Sequence, residues 1–373
     1  IKLADMYYKK GFDEVEAKAG SHTGTFKVFV NFIPVADISL QVPEFYKKIK
    51  KQARNVKGIY YSPPNFLRML MYLELSRPKG DVSRWEKVLK RLTLLNKNFP
   101  LKGKDCDFVE IQRMFDPNTK IPQNFTSNLF QLTRECLINQ SVVFFGAMAN
   151  KLFIKNLKKF KYYNMDKIPD FDVLSKDPET TANVLKEYLE DNSIKNVKVT
   201  KKNGVGEVVA PHYDVSVKGE SVAFIYEPLA CHSYNVIRQF GRSIKIATID
   251  TMLSFYLAFL YLNRKYYDPQ RILCMSHYLF AVQEKNRLKQ KGILKRFSID
   301  CYGDEKHTKE KIRAKKSELF KTLKNKRGSK EWNFNFLKYV PGDIALAKKY
   351  KTKTKKKKKR KRKKKTKKKR FFF

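Results

Sequence analysis

Hydrophobic and polar residues alternate in two pairs of short stretches, one near the start of the chain and one after its middle. Such alternation is typical of strands with one buried face, and two closely spaced runs predict a β-hairpin. After each predicted hairpin, apolar residues recur with helical spacing in two consecutive segments. The predicted elements are hairpins at 26–30/35–40 and 213–217/221–226, first helices at 65–75 and 251–262, and second helices at 83–95 and 271–284.

The two regions align with each other when the chain is shifted against itself by 187 residues. Residues 26–92 fall on 213–279 without a gap, and 14 of the 67 aligned positions are identical, where about 4 are expected by chance. Shared apolar periodicity alone could produce part of this agreement. A single offset through strand, loop and helix favours a tandem duplication.

Only the second copy is preceded by a predicted α/β layer. Its elements are a buried strand at 141–146 ending in Gly146, a helix at 149–160, a strand at 168–174, a helix at 179–189 capped by Asp177, and a strand at 194–199. We therefore predict an α+β fold with two tandem units, each a small mixed sheet plus helices, the first incomplete at its N-terminus. The predicted segments are a first unit at 1–104, a connector at 105–140, a second unit at 141–284, a basic segment at 285–345 and a disordered Lys/Arg-rich tail at 346–373.

The chain carries a large excess of positive charge, with 80 Lys and Arg against 36 Asp and Glu in 373 residues. A hydrophobic content of 42% excludes a wholly disordered chain. The formal charge of +44 favours a polyanionic partner, nucleic acid first, although a generally basic proteome would have the same composition. The tail resembles either a nucleic-acid-binding arm or adenine-rich flanking sequence read through.

Five scattered cysteines, with no CxxC pair, predict reduced thiols in an intracellular compartment. The longest apolar run, Met252–Leu262, is too short to span a bilayer, so we expect no membrane partner.

Two carboxylates in one predicted strand are the clearest chemical signal. Asp170 and Asp172 are two residues apart, so in a strand their side chains share one face. Carboxylates so arranged repel each other unless protons or cations intervene, and a pair of Mg²⁺ ions is a common solution. Such a site needs a third acid from a neighbouring strand.

The 187-residue offset identifies candidates for that third acid. Asp37 lies mid-strand between apolar neighbours, where an acid is costly unless it is paired or ligated. Its counterpart in the second copy is Phe224, although Asp214 on the adjacent strand could substitute. The first-copy counterparts of Asp170 and Asp172 would fall before Ile1.

A strand ending in Gly, a DxD pair and a third Asp on a later strand resemble the polymerase-β-like nucleotidyltransferases. The tandem arrangement, with the segments 169–175 and 231–235, resembles the poly(A) polymerase catalytic subunit of poxviruses and giant viruses over roughly residues 26–340. The resemblance implies template-independent addition of AMP from ATP to RNA 3′ ends, as in mRNA polyadenylation. It implies Mg²⁺ or Mn²⁺ as cofactor, and RNA and ATP as partners, with a homodimer or a processivity subunit as a further possibility. It also implies a virion and host-cytoplasm (viral factory) location.

In that family the first unit is catalytic and the second is degenerate. The resemblance therefore implies that Asp37 is the catalytic metal ligand, and that Asp170 and Asp172 are a degenerate pair. Gly146 is a candidate nucleotide contact, but Ala147 lacks the hydroxyl that usually holds the triphosphate. We expect the given chain to be inactive alone, because the first unit's DxD would be encoded upstream of Ile1.

Binding a single RNA strand calls for cations interleaved with aromatic side chains. The best such cluster is formed by Lys158, Lys159, Lys161, Tyr162 and Tyr163, although a solvated helix end would look the same. Residues 309–327 predict a basic helix that could follow phosphates. A nucleotidyltransferase with another nucleotide preference and a non-catalytic RNA-binding scaffold remain the alternative functions.

Overall fold

The structure is a computed structural model of the chain. It describes the following residues: 1–106, 123–157, 170–206, 208–239, 241–264, 266–305 and 308–343.

Helices and strands are mixed along the described chain, which confirms the predicted α+β class. The helices are α1 Lys2–Lys9, α2 Pro43–Gln52, α3 Pro64–Leu75, α4 Trp85–Asn98, α5 Gln123–Asn139, α6 Gly146–Ile154, α7 Pro178–Asp191, α8 Ile249–Phe259, α9 Pro269–Lys285, α10 Lys309–Leu323 and α11 Lys330–Phe336. The strands are β1 Val15–Ala19, β2 Thr25–Val30, β3 Ile33–Ser39, β4 Arg54–Val56, β5 Ile59–Tyr61, β6 Val143–Phe145, β7 Phe171–Leu174, β8 Val197–Lys202, β9 His212–Val217, β10 Glu220–Tyr226, β11 His232–Gln239, β12 Arg242–Ala247, β13 Cys301–Tyr302 and β14 Lys338–Tyr339. No α-helix in the described ranges is both long enough and apolar enough to cross a bilayer.

The chain divides into two compact units. Unit 1 combines residues 1–41 with the segment that begins at Thr308, and unit 2 comprises Val42–His307. This division differs from the predicted segments, because the first hairpin and the two helices after it fall in different units. The predicted segment boundaries follow the repeat and not the compact units, and they stay a prediction.

Unit 1 contains a four-stranded antiparallel sheet in the order β14-β1-β2-β3. Its buried face alternates along the strands, as hairpin patterning requires, and packs against α1. The core residues of this unit are Ala4, Val15, Ala17, Val28, Val30 and Tyr339. Asn31 and Phe32 form the two-residue turn between β2 and β3, both with positive φ (48° and 64°), which suits the twist of a tight hairpin.

Unit 2 is built on an eight-stranded sheet in the order β13-β11-β12-β6-β7-β10-β9-β8. Strand β7 lies between β6 and β10, and it is parallel to β10. Helix α8 is buried along its entire length, which explains why its sequence lacks a polar face. The acids Asp177 and Asp268 cap α7 and α9 by accepting hydrogen bonds from backbone N–H groups in the first turn.

The two predicted hairpins are confirmed and have the same strand register. Lys27 pairs with Asp37 across β2 and β3, and Asp214 pairs with Phe224 across β9 and β10. Each pair in the second hairpin is offset from the first by 187 residues, and the turn Lys218-Gly219 falls on the first hairpin's turn. This agreement supports a duplication, which stays a prediction.

The segments following the hairpins contain elements that the apolar pattern does not predict. The first contains α2 and the small β4–β5 hairpin, whereas the second contains β11 and β12. Such short strands and inserts have little periodicity of their own. Their pairing depends on neighbours distant in sequence.

The expectation of five reduced thiols is also wrong for this structure. Disulfides join Cys106 to Cys274 and Cys231 to Cys301, while Cys136 is a buried free thiol. The paired cysteines are 168 and 70 residues apart in sequence, so spacing motifs could not reveal them.

Candidate functional site

The predicted carboxylate pair lies where β7 begins, beside the junction of β6 and α6. Asp172 is in β7, with Phe145 of β6 on one side and Phe224 of β10 on the other. Asp170 directly precedes the strand and is 9% exposed. Both acids line one small cavity, which confirms that they share a face.

Gly146 forms the sharp turn from β6 into α6, with φ of +73°. A Cβ atom at this position would lie 2.7 Å from Cβ and 2.8 Å from Cγ of Asp172. Only glycine fits this close approach and this backbone conformation without strain. The glycine is thus explained by packing on Asp172, and its role in nucleotide binding stays a prediction.

Arg271, from the first turn of α9, approaches the pair. Its Nη1 lies 3.9 Å from Oδ2 of Asp170, and both side chains are largely buried (17% and 8% exposed). Its Nη2 donates a hydrogen bond to the backbone oxygen of Tyr266 at 2.9 Å, which holds the guanidinium in place. A protein cation therefore lies beside the carboxylate pair, in the lining of the same cavity.

Aromatic side chains fill the remaining space. Phe224 stacks on Tyr266 with ring centroids 5.1 Å apart, and the hydroxyls of Tyr226 and Tyr267 lie 2.8 Å apart. The cavity beside the two acids measures about 30 Å³, enough for one water molecule and far too small for a triphosphate.

Electrostatics at the site follow from this burial. Burial raises the pKa of the Tyr256 hydroxyl well above its usual value, and the charge of Asp172 raises it further. Burial likewise raises the pKa values of Tyr226 and Tyr267. The tyrosines therefore stay neutral at ordinary pH and form an uncharged wall around the carboxylates.

These residues do not fit a two-metal site. Phe224 occupies the position of a third acid, and Arg271 already provides a compensating charge. Asp214 cannot complete the set, because strand β10 lies between it and β7, which separates the two backbones by about 10 Å. Across the described ranges, no cluster of three or more His, Cys, Asp or Glu side chains could hold a metal ion.

Asp37 lies in a different setting. It is in the middle of β3, as predicted, but β3 is the edge strand of its sheet and the Asp37 side chain is 60% exposed. Lys27 on β2 approaches it to 3.4 Å. The argument from the cost of burying an acid is therefore wrong for Asp37, and its role as a metal ligand stays a prediction.

The predicted RNA-binding cluster, Lys158 to Tyr163, lies outside the described residues. The sequence also did not predict that Arg271 and the buried tyrosines belong to this site. One signal was available, because Arg271 and its counterpart Arg84 are among the identical positions of the repeat. The repeat does not, however, predict that this arginine reaches a carboxylate a hundred residues earlier.

Residues 1–81 match the family model of the poly(A) polymerase catalytic subunit. The predicted resemblance is confirmed. The matched segment includes the first hairpin and Asp37.

Relatives named poly(A) polymerase catalytic subunit come from two viruses. The protein of Acanthamoeba polyphaga mimivirus is 27% identical over 167 residues, which is 43% of this chain and 27% of the relative. That of African swine fever virus is 33% identical over 107 residues, which is 27% of this chain and 22% of the relative. The chain thus spans about a quarter of the length of these relatives.

The fold is similar to that of the Megavirus polyadenylate synthase in its crystal structure. The two superpose with a TM-score of 0.70 at 19% sequence identity, covering 91% of this chain and 68% of the other. The poly(A)-polymerase-like fold therefore extends well beyond the segment that the family model matches.

Proposed function

We propose that this protein adds AMP from ATP to RNA 3′ ends without a template, and that the reaction takes place on unit 1. The observation that carries the proposal is the contrast between the two equivalent hairpins. At equivalent positions of the two hairpins, β10 carries Phe224, which packs into a closed aromatic cluster, and β3 carries Asp37, which is exposed to solvent. The family match over residues 1–81 supports the assignment, because it covers the copy with the open carboxylate.

The edge of β3 supports a further element of the proposal. In unit 2 the equivalent strand, β10, pairs with β7, and this pairing sets Asp172 beside Phe224. Among the described strands none pairs with the free edge of β3, although Val35 and Ile38 leave apolar surface there (41% and 47% exposed). We infer that a strand with a carboxylate pair adds to this edge in the full-length protein.

Asp37 fits the role of one metal ligand, because its carboxylate is 60% exposed and the lysine beside it, Lys27, is itself 38% exposed. A bound Mg²⁺ or Mn²⁺ pair would activate the RNA 3′ hydroxyl and neutralise charge on the triphosphate. Within unit 1, Asp37 would orient the cation, while Lys27 would offset the negative charge of the carboxylate when no metal is bound.

Unit 2 takes a non-catalytic part in this proposal. Its acids hold Arg271 and the strand–turn–helix junction together rather than a nucleotide. The scaffold alternative thus applies to unit 2, whose closed cavity favours a structural function.

The test is incorporation of labelled ATP into a single-stranded RNA by the full-length protein. Asp37→Ala should abolish incorporation, while Asp172→Ala, the matched control in the other copy, should leave most of it. RNA affinity and the melting temperature, measured in parallel, should change little for Asp37→Ala. Full activity of Asp37→Ala, or loss of activity only in Asp172→Ala, would reverse the assignment of the two units.

A further inference from the structure

A row of lysines crosses the exposed face of the unit 1 sheet. The strand register places Lys338 of β14 opposite Lys18 of β1, and Lys18 opposite Lys27 of β2. The same row continues to Asp37 on β3, opposite Lys27. Neighbouring strands are about 4.8 Å apart, so the three lysines span about 10 Å and end beside Asp37.

This arrangement is unfavourable for the sheet alone. Like charges directly opposite each other on adjacent strands destabilise the pairing. The corresponding row of unit 2 contains no run of like charges: Thr200, Asp214, Phe224 and Asp172 follow one another across β8, β9, β10 and β7. The shared hairpin geometry therefore does not require the lysines, which indicates a function specific to unit 1.

Helix α10 adds cations beside the same row. Arg313 and Lys316 line a cleft of about 510 Å³ together with Lys18 and Lys27. Lys316 donates a hydrogen bond to the backbone oxygen of Gly20, which fixes α10 against the turn after β1. The cleft therefore joins the sheet face to the basic helix that the sequence predicted.

The carboxylates on this face do not balance the cations. Glu16 lies 2.9 Å from Lys18, and Asp37 lies 3.4 Å from Lys27. Both ion pairs are substantially solvent-exposed, with Lys18 45% and Asp37 60% exposed, and exposed pairs contribute little. A phosphate group can therefore compete for both lysines, while Lys338, Arg313 and Lys316 add positive charge to the same surface.

We propose that the row Lys338–Lys18–Lys27, with Arg313 and Lys316 of α10, binds the phosphodiester backbone of single-stranded RNA and directs it towards Asp37. An open row of cations suits successive phosphates, since it contacts charge and not base edges. The direction towards Asp37 rests on the proposed function. The binding itself does not, because it follows from the charges and the register.

The test is equilibrium binding of a short labelled single-stranded RNA to the full-length protein over a range of salt concentrations, without ATP. Each of Lys18→Gln, Lys27→Gln and Lys338→Gln should weaken binding roughly fivefold at about 0.1 M salt and reduce the slope of log K against log salt by about 0.7. The triple variant should reduce the slope by about 2, whereas the corresponding Lys→Arg variants should retain it. The melting temperature should rise in Lys18→Gln, because two like-charge pairs, with Lys27 and with Lys338, are removed.

Lys202→Gln is the matched control, since Lys202 is a strand lysine that approaches Asp214 to 3.8 Å in the sheet lacking the row. An equal loss of RNA affinity in this control would show a general charge effect and overturn the proposal. If the row variants bind RNA unchanged but have a raised KM for ATP, the lysines contact the triphosphate, and the proposal that they bind RNA is overturned. Weakened RNA binding in a protein that never incorporates ATP would support the row while refuting the proposed reaction.

Discussion

Replacing Arg271 by Met tests whether the unit 2 carboxylates are held by a protein cation or await a metal. The guanidinium is 17% exposed and Asp170 is 8% exposed, so the substitution removes a cation from beside a buried carboxylate. Removing one partner of a buried pair typically costs 3–5 kcal/mol. Because the Nη1–Oδ2 distance is 3.9 Å, at the long end for an ion pair, we expect a loss of about 2 to 3 kcal/mol. For a body of this size, that lowers the melting temperature by about 5 to 10 °C.

The assay is thermal unfolding of the full-length protein, with and without Mg²⁺. In Arg271→Met, adding Asp170→Asn should recover part of the loss, because the double variant removes both charges of the pair. A metal present at about 100 times its Kd would stabilise its site by about 2.7 kcal/mol. The reasoning is refuted if Mg²⁺ raises the melting temperature of the wild type and Asp170→Asn or Asp172→Ala removes this increase.

Three further predictions concern the stability of unit 2. Asp250→Ala should cost about 3 to 5 kcal/mol in urea unfolding, because Asp250 is 1% exposed and accepts hydrogen bonds from Arg296 at 2.8 and 3.0 Å; a loss below about 1 kcal/mol would contradict this. Gly146→Ala should lower the free energy of unfolding by about 2 to 4 kcal/mol, because alanine is strained at a positive φ and its Cβ would overlap with Asp172. An unchanged free energy of unfolding would show that the turn adjusts and would contradict this prediction. His212 and His232 are both 1% exposed, and burial lowers their pKa values to about 4 and about 3. Because these pKa values lie below the unfolded value of about 6.5, each histidine contributes stability above that pH, which is lost at about 1.4 kcal/mol per pH unit as the pH falls towards 4. The free energy of unfolding, measured in urea across this range, should depend less steeply on pH in His212→Gln. An unchanged pH dependence would contradict the assignment.

Local features of the sequence determined much of the fold. The alternation in residues 26–40 and 213–226 predicted both hairpins, because side chains in a strand point to opposite faces in turn. The N-cap Asp177 could be predicted because a cap contacts its own first helical turn. The same period of two placed Asp170 and Asp172 on one face, since no long-range information is needed for that inference.

The chemical setting of each carboxylate was decided only by tertiary structure. Strand β3 lies at the edge of its sheet and β10 lies inside its own, so Asp37 is exposed where Phe224 is buried, although the two hairpins share one register. Arg271 reaches Asp170 because α9 packs against α6 and α8, and no local pattern encodes an approach across a hundred residues. The lysine row likewise needed β14, which joins residues near the end of the described chain to β1 near its start. Burial, ion pairing and sheet order depend on contacts between distant segments. Sequence periodicity indicates only which side chains share a face within one helix or strand, so it could not predict them.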